Sequence, residues 1–293
     1  MNTAADTQPV LGFIGQGFIG KNYADDFESR GYRVIRYTSR SKYKKNRAAI
    51  ASCDIVFIAV PTPTTPEGFD ASIVEKVLPL VGKKRIAVIK STLLPGTTDM
   101  LQKKHPDITI LHSPEFLREA TAAHDAAHPE RNVIGLPKNN VTHRKAARQV
   151  LSILPKAPYE RIVTAREAEL IKYAGNCFLY SKVVFMNVLY DMADALNADF
   201  NVVAEAMAAD KRVGASHMMP LHKSGPHAGK AGRGAGGHCF VKDFAAFVKM
   251  YRKNMPHDKA GIAFLRSLEA KNLRLLRDSG KDPDILKGVY GKL

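Results

Sequence analysis

The chain has 293 residues, of which 45% are hydrophobic and 25% charged, as in a folded globular protein of two domains rather than a disordered one. Its formal net charge of +16 raises the question of nucleic acid. The basic residues lie in short clusters without interleaved aromatic residues, which argues against a dedicated nucleic-acid site and favours solvated faces that attract phosphorylated or carboxylated small molecules.

The three cysteines are widely spaced and include no C-x-x-C pair, so neither a disulfide framework nor a metal site is predicted. The N-terminus lacks the basic flank and apolar run of a signal peptide, and no uninterrupted apolar stretch reaches the length of a membrane span. These features predict a cytoplasmic protein without a membrane partner.

The first motif is a glycine-rich turn between a strand and a helix. Residues 10–14 predict a short buried strand, which runs directly into Gly15-Gln16-Gly17-Phe18-Ile19-Gly20 and then into a helix that ends near residue 31. In such a G-x-G-x-x-G motif the glycines permit a tight turn, close approach of a pyrophosphate and helix-to-strand packing, while the helix N-terminus offers N–H groups to the anion. Dinucleotide binding by Gly15, Gly17, Phe18, Ile19 and Gly20 is therefore expected.

The second predicted strand, residues 32–37, ends where NAD-binding sites usually place an acidic residue for the ribose hydroxyls. Here Thr38, Ser39 and Arg40 follow instead. Because no carboxylate would repel a 2′-phosphate and a guanidinium could bind one, NADP is as plausible a cofactor as NAD on local chemistry. Loose recognition of the ribose is the alternative.

Further apolar runs predict the remaining strands of a parallel sheet covered by helices on both faces, a Rossmann-type doubly wound domain over residues 1–164. These runs are residues 54–60, 85–90, 108–112, 132–136 and 161–163. Ligands bind at the carboxyl ends of such strands. Glu115 and Glu119 follow one of them at a spacing of four, so a helical turn would place both carboxylates on one face; a solvated helix start is the alternative.

A long helix is predicted from residue 165 to about residue 197 and opens an all-helical domain over residues 165–293. Its middle, residues 178–192, is apolar nearly all round, which indicates burial in a core or a subunit interface and favours a homodimer. Lys172 and Asn176 lie four residues apart on one face. They could stabilise an oxyanion or transfer protons, or they could be a snorkelling lysine and a capping amide.

The last motif is the glycine-rich stretch at residues 230–243, in which Cys239 is followed by Lys242 and Asp243. An exposed thiol near a cation would be a nucleophile. The alternative is a flexible linker that ends in a buried cysteine, because cysteine is among the most buried residue types.

Together these motifs resemble the UDP-glucose/GDP-mannose dehydrogenase family over nearly the whole chain. They are, in chain order, Gly15-Gln16-Gly17-Phe18-Ile19-Gly20, Pro61-Thr62-Pro63, Lys90-Ser91-Thr92, Ser113-Pro114-Glu115-Phe116-Leu117-Arg118-Glu119, Glu169-Leu170-Ile171-Lys172-Tyr173-Ala174-Gly175-Asn176, Asp210-Lys211-Arg212-Val213-Gly214 and Gly236-Gly237-His238-Cys239-Phe240-Val241-Lys242-Asp243. The resemblance implies a four-electron oxidation of a primary alcohol of a nucleotide sugar to a uronic acid, with two nicotinamide cofactors used in succession. Cys239 would carry the covalent thiohemiacetal and thioester.

The resemblance also implies roles for the other residues. Lys172 and Asn176 would hold an oxyanion, Thr92 and Asp243 would position a water or proton relay, and Glu115 with Glu119 would orient substrate and activate the hydrolytic water. Lys242 would help depress the pKa of Cys239 and meet cofactor or substrate charge. The cofactor would also lie against Thr62, Pro63, Thr92, Glu119 and Lys242.

Three features depart from the family pattern. Thr38 replaces the usual acidic residue. His238 resembles the mannosaminuronate-forming branch, whereas Lys242-Asp243 resembles the UDP-glucose branch. The family normally continues into a third, nucleotide-binding domain, which is expected to be absent here. Two alternatives therefore stay open, a two-electron β-hydroxyacid-type dehydrogenase and a cofactor-binding scaffold without catalysis.

Overall fold

The computed structural model describes residues 8–40, 42–225 and 229–291. The chain divides into two compact units. The first runs to Thr62 and resumes as Asp70–Lys172, and the second combines Pro63–Phe69 with the residues from Tyr173 onward. The chain thus leaves the first unit for seven residues before it returns to complete that unit.

Strands and helices alternate through the first unit, as the sequence predicts. The strands of the chain are β1 (Leu11–Ile14), β2 (Val34–Tyr37), β3 (Ile55–Ile58), β4 (Thr64–Thr65), β5 (Gly68–Phe69), β6 (Ile86–Ile89), β7 (Thr109–His112), β8 (Arg131–Leu136) and β9 (Tyr159–Thr164). The helices are α1 (Phe18–Ser29), α2 (Ser72–Val77), α3 (Thr97–Lys104), α4 (Ala122–Ala127), α5 (Val141–Ile153), α6 (Ala165–Ala195), α7 (Phe200–Ala209), α8 (Gly237–Asn254), α9 (Lys259–Ser279) and α10 (Pro283–Tyr290).

Seven strands form one sheet in the order β2-β1-β3-β6-β7-β8-β9. Every neighbouring pair is parallel except β7 and β8, which meet in antiparallel register at His112 and Gly135. The predicted α/β class is confirmed, but the expectation of a wholly parallel sheet is wrong at this pair. An apolar run reports burial and not direction, so the sequence could not show the reversal.

The first unit is held by an aromatic cluster beneath the glycine-rich turn. The rings of Phe13 and Phe57 are stacked at 4.9 Å, and Phe27 of α1 lies 5.8 Å from the first and 5.4 Å from the second. All three side chains are buried. Burial of this much aromatic surface fixes α1 against β1 and β3, and therefore fixes the turn that joins β1 to α1.

The second unit is built from helices together with the β4–β5 hairpin. Tyr180 of α6 stacks on Phe244 of α8 with ring centroids 3.8 Å apart, in a core that also contains Val184 and Leu265. Among the described residues, no helix is both long enough and apolar enough to span a membrane.

The middle of α6 is buried on one side only. Tyr180, Val183, Val184 and Met186 lie in the core. The other side forms an exposed apolar surface, here called the α6 outer face. It comprises Phe178, Phe185, Val188 and Met192 of the helix, and Leu196 in the turn that follows it. The helix is therefore only half covered in the chain itself, although its sequence predicts burial nearly all round.

Candidate active site

The glycine-rich turn has the backbone that its sequence predicts. Gly15 has φ +92°, and a Cβ at this position would lie 2.1 Å from the carbonyl oxygen of Ala59. A Cβ at Gly20 would lie 2.0 Å from the carbonyl oxygen of Gly15. These two glycines are required by the close packing of the turn itself.

Gly17 is different, because no described atom would lie within 4 Å of a Cβ added there. Gly17 is also the N-cap of α1, which has no side-chain cap and no acidic residue in its first turn. Among the described residues, no side chain caps this helix start and none would contact a Cβ at Gly17. A pyrophosphate could approach the backbone here, so the residues present fit a dinucleotide.

Among the described residues that directly follow β2, Thr38 to Arg40, none carries a carboxylate for a ribose. The nearby acids of α1, Asp25 and Glu28, are both paired with Arg36 of β2, at N–O distances of 2.6 Å and 2.7 Å. Ser39 and Arg40, which follow the strand, are exposed. The charged side chain that directly follows β2 is therefore the guanidinium of Arg40, which could bind a phosphate.

The loops after β3 and β6 are joined at the same edge of the sheet. The Thr62 hydroxyl donates to the carbonyl oxygen of Thr92 at 2.8 Å. The Ser91 hydroxyl accepts from the Val60 N–H at 3.0 Å and donates to the Val60 carbonyl at 2.7 Å. These bonds fix Thr92 at the carboxyl end of the sheet. Pro63, the neighbouring candidate, already belongs to the second unit.

Lys172 and Glu115 form a buried ion pair. The Lys172 ammonium donates to Oε1 of Glu115 at 2.9 Å and to its carbonyl oxygen at 2.8 Å. Oε2 of Glu115 accepts from the Leu117 N–H at 2.8 Å. Only 6% of Lys172 and 4% of Glu115 is exposed, so the interpretation of Lys172 as a snorkelling surface residue is wrong.

The helical turn expected to align Glu115 with Glu119 does not form. Residues 113–118 have no regular secondary structure, and Glu119 begins a short 3₁₀ turn, Glu119–Thr121, with its side chain exposed. Instead, the Glu115 carboxylate accepts hydrogen bonds from the Lys172 ammonium and from the N–H of Leu117, two residues further along the chain. Those bonds fix a segment without regular secondary structure, so the two carboxylates do not share a helix face.

A second lysine, Lys90, lies buried near the same carboxylate. Burial lowers its pKa to about 8, and its ammonium lies 3.3 Å from the Ser113 hydroxyl and 4.1 Å from the centroid of the Tyr23 ring. His112 is also fully buried, and burial lowers its pKa to about 3, which keeps the imidazole neutral. The sequence does show a lysine at the end of an apolar strand, but this position alone does not indicate a role in the site.

Glu169 anchors the start of α6 in the first unit. Its carboxylate accepts from the N–H groups of Gly96 and Thr98, at 2.6 Å and 2.8 Å, and from the Thr98 hydroxyl at 2.6 Å. Burial raises its pKa to about 7. Glu169 lies one turn before Lys172, so this junction with the start of α3 fixes the helical segment that carries the lysine.

In the second unit, Asn176 and Asp243 are in direct contact. The Asn176 amide donates to Oδ2 of Asp243 at 2.6 Å, and the Lys242 ammonium forms an ion pair with Oδ1. Asp243 is completely buried. Both of its oxygens are therefore occupied by side chains that the sequence also identifies as candidates.

Cys239 lies in the first turn of α8, which begins at Gly237. Its side chain is exposed, whereas Cys53 and Cys177 are buried. The interpretation as a linker that ends in a buried cysteine is therefore wrong. Cys239 therefore lies near the positive end of the α8 dipole, which favours an anion.

Comparison with known proteins identifies the family of both units. The model of the UDP-glucose/GDP-mannose dehydrogenase family, NAD binding domain, matches residues 36–153. The model of the central domain of the same family matches residues 166–272. The two matches follow one another in the order found in the family and together cover most of the chain.

Relatives with known names agree. The chain is 31% identical over 271 residues to the UDP-glucose 6-dehydrogenase YwqF of Bacillus subtilis, covering 88% of this chain and 56% of that protein. It is 34% identical over 217 residues to the UDP-glucose 6-dehydrogenase of Rhizobium meliloti, covering 69% and 47%. The chain thus spans about half the length of these relatives.

A solved UDP-glucose dehydrogenase from the archaeon Pyrobaculum islandicum superposes with a TM-score of 0.78 at 27% identity, over 94% of this chain and 71% of that one. A Mycobacterium tuberculosis 3-hydroxyisobutyrate dehydrogenase shares the fold alone, with a TM-score of 0.68 at 13% identity, over 94% of this chain and 96% of that one. The matched domains, the named relatives and the fold agree, and the chain belongs to the UDP-glucose/GDP-mannose dehydrogenase family.

Proposed function

We propose that this protein oxidises the primary alcohol of a nucleotide sugar to the uronic acid with a nicotinamide cofactor as the hydride acceptor. The observation that carries the proposal is the exposed thiol of Cys239 in the first turn of α8, in a chain of this family. A thiol that attacks an aldehyde turns a two-electron oxidation into a four-electron one, because the resulting thiohemiacetal carries a second hydride that can leave.

The chemistry balances with the residues at hand. Loss of one hydride and one proton converts the alcohol to an aldehyde, and the Cys239 sulfur adds to its carbonyl carbon. Loss of a second hydride and proton converts this adduct to a thioester, and water then releases the acid and restores the thiol. Two equivalents of cofactor are reduced for each acid.

Lys172 and Asn176 are proposed to stabilise the oxyanion of the tetrahedral species. The Lys172 ammonium already has two acceptors, both provided by Glu115. A substrate oxygen would take over part of this donor capacity, leaving the Glu115 carboxylate able to accept a proton from water. The proposed role of Thr92, Asp243 and Glu119 is to position substrate, water or cofactor. The proposed role of Lys242 is to bind the negative charge of the cofactor or substrate.

The proposed cofactor is NAD, with NADP accepted as well. The open helix start at Gly17 supports a pyrophosphate site. The positive surface at Ser39 and Arg40, together with the pairing of Asp25 and Glu28 to Arg36, removes the usual electrostatic penalty against a 2′-phosphate.

A cofactor-reduction assay tests the function. The protein is incubated with NAD or NADP and a panel of nucleotide sugars, and reduced cofactor is counted against product. Two equivalents per acid are expected. One equivalent per product, with no acid formed, would indicate a two-electron dehydrogenase instead, and no reduction with any substrate would leave a cofactor-binding scaffold.

We also propose that the α6 outer face joins two copies of this chain. Four large apolar side chains lie along one stripe of α6 and Leu196 follows in the next turn, with Phe178 70% and Phe185 56% exposed. Contiguous apolar patches of this kind usually mark interfaces, and one helix stripe can pair with itself about a two-fold axis.

Sedimentation velocity tests the dimer. Phe185→Glu should convert a dimer to a monomer, because a buried interface cannot hold an unpaired carboxylate. Val141→Glu, at an exposed apolar position of α5 outside the α6 outer face, should leave the dimer intact. A monomeric parent protein, or equal effects of both substitutions, would contradict this interface.

A further inference from the structure

The glycine run before Cys239 is packed against the end of α9 and the turn that follows it. A Cβ at Gly232 would lie 2.7 Å from the Ser279 hydroxyl, and one at Gly234 would lie 2.9 Å from Oδ1 of Asn272. A Cβ at Gly236 would lie 2.2 Å from Oδ2 of Asp282. Alternate glycines are thus required by close approach, and the run is a fitted segment rather than a flexible linker.

Buried side chains bond to the backbone of this run. Asn272 is 1% exposed, and its amide accepts from the N–H of Ala235 at 2.7 Å and donates to the carbonyl of Ala235 at 3.0 Å. One side chain therefore satisfies both polar groups of a buried residue in the middle of the run, as an added strand would.

Lys281 is also 1% exposed, and its ammonium holds the start of the run. It donates to the carbonyl oxygens of Gly234 at 2.9 Å and Gly232 at 3.3 Å, and lies 3.1 Å from Nε2 of His222. Nδ1 of His222 lies 3.0 Å from the Met219 carbonyl, so this nitrogen carries the hydrogen and Nε2 accepts. Burial lowers the pKa of His222, in agreement with a neutral ring.

Asp282 holds the end of the run. Its Oδ2 accepts from the N–H of Gly237 at 2.8 Å, and also from the Ser224 hydroxyl. Gly237 is the first residue of α8, whose own N-cap residue, Gly236, has no side chain. The cap of the helix that carries Cys239 therefore comes from a residue 45 positions later in the sequence.

We propose that Lys281 and Asp282 are positioning residues for Cys239, which together fix the turn that presents the thiol and set the local charge that it meets. Lys281 fixes the approach to the turn, and Asp282 fixes the first N–H of α8. The catalytic consequence of this positioning rests on the function proposed above, but the state of the thiol itself does not.

The two side chains act on the thiol with opposite sign. The Asp282 carboxylate occupies the positive end of the α8 dipole and disfavours a thiolate two residues further on, whereas the Lys281 ammonium next to it favours one. On α8 itself the charged or titratable neighbours are His238, Lys242 and Asp243. A purely structural role of Lys281 and Asp282 would not give opposite effects.

The rate of alkylation of Cys239 by iodoacetamide, followed by mass spectrometry from pH 6 to 9, tests the proposal. Asp282→Asn keeps the acceptor oxygen and removes the charge, so alkylation near neutral pH should become about two- to fivefold faster. Lys281→Met should make it slower by a similar factor, and Lys281→Arg, which keeps charge and donors, should restore much of the rate. Asp284→Asn and Lys287→Met, at exposed positions of α10, should change nothing.

Shifts of the same sign in Asp282→Asn and Lys281→Met, or rates equal to that of the parent protein, would overturn the proposal. Circular dichroism establishes that each variant is folded, and if Lys281→Met does not fold, Asp282→Asn and Lys281→Arg still decide. Because alkylation needs neither cofactor nor substrate, the proposed function can fail while the positioning role stands. Conversely, if turnover is found but neither substitution changes the alkylation rate, the proposed function stands and the positioning role fails.

Discussion

Cys239→Ser should abolish formation of the acid, lowering turnover by at least about 10³-fold. A serine hydroxyl is a far weaker nucleophile than a thiolate. The measurement is reduced cofactor per acid under saturating substrate. Cys53→Ser, at a buried cysteine of the first unit, is the matched control and should retain turnover.

The effect of Cys239→Ser on activity can be separated from an effect on folding. Because the Cys239 side chain is exposed, exchange of sulfur for oxygen should change the free energy of unfolding by no more than about 0.5 kcal/mol. A lost activity would then report chemistry rather than unfolding. Full turnover in the variant would exclude the covalent route and favour a two-electron dehydrogenase.

Lys172→Met should lower kcat by about 10²- to 10³-fold, because a fixed donor to a developing oxyanion is removed. The same substitution leaves the buried Glu115 carboxylate without its cation, at a cost of about 3–5 kcal/mol to the fold. Activity and stability therefore fall together in the single variant, and a second change is needed to separate them.

The double variant Lys172→Met/Glu115→Met makes that separation. Replacement of both members of a buried ion pair by apolar residues of similar volume is often close to neutral for stability. The urea midpoint should return most of the way to that of the parent protein, while kcat stays low. Recovery of kcat along with stability would mean that the pair supports the fold and that neither Lys172 nor Glu115 takes part in the chemistry.

Part of this structure could be predicted because local sequence determines it. The strand before Gly15 and the helix after Gly20 follow from an apolar run, a glycine pattern and helical periodicity, all within twenty residues. Lys172 and Asn176 share a helix face for the same reason. Such local patterns carry most of the fold of the first unit.

Other features depend on partners that are distant in sequence. Glu115 pairs with Lys172, 57 residues later, and no pattern around Glu115 indicates this contact. Asp282 caps a helix that begins 45 residues earlier, while its own neighbourhood indicates only a turn before a proline. The exposed side of α6 could not be predicted either, since an apolar helix does not reveal how much of it the same chain covers.

The β4–β5 hairpin has a consequence for the order in which the chain can be completed. Lys249 of α8 donates to the carbonyls of Thr65 and Pro66 across separations of 184 and 183 residues. The seven residues Pro63–Phe69 are synthesised early, but they cannot form these contacts until α8 has been synthesised and folded. Closing so long a loop is slow compared with helix pairing, so the second unit should mature late, and a fragment that starts at Tyr173 would lack a piece of its own fold.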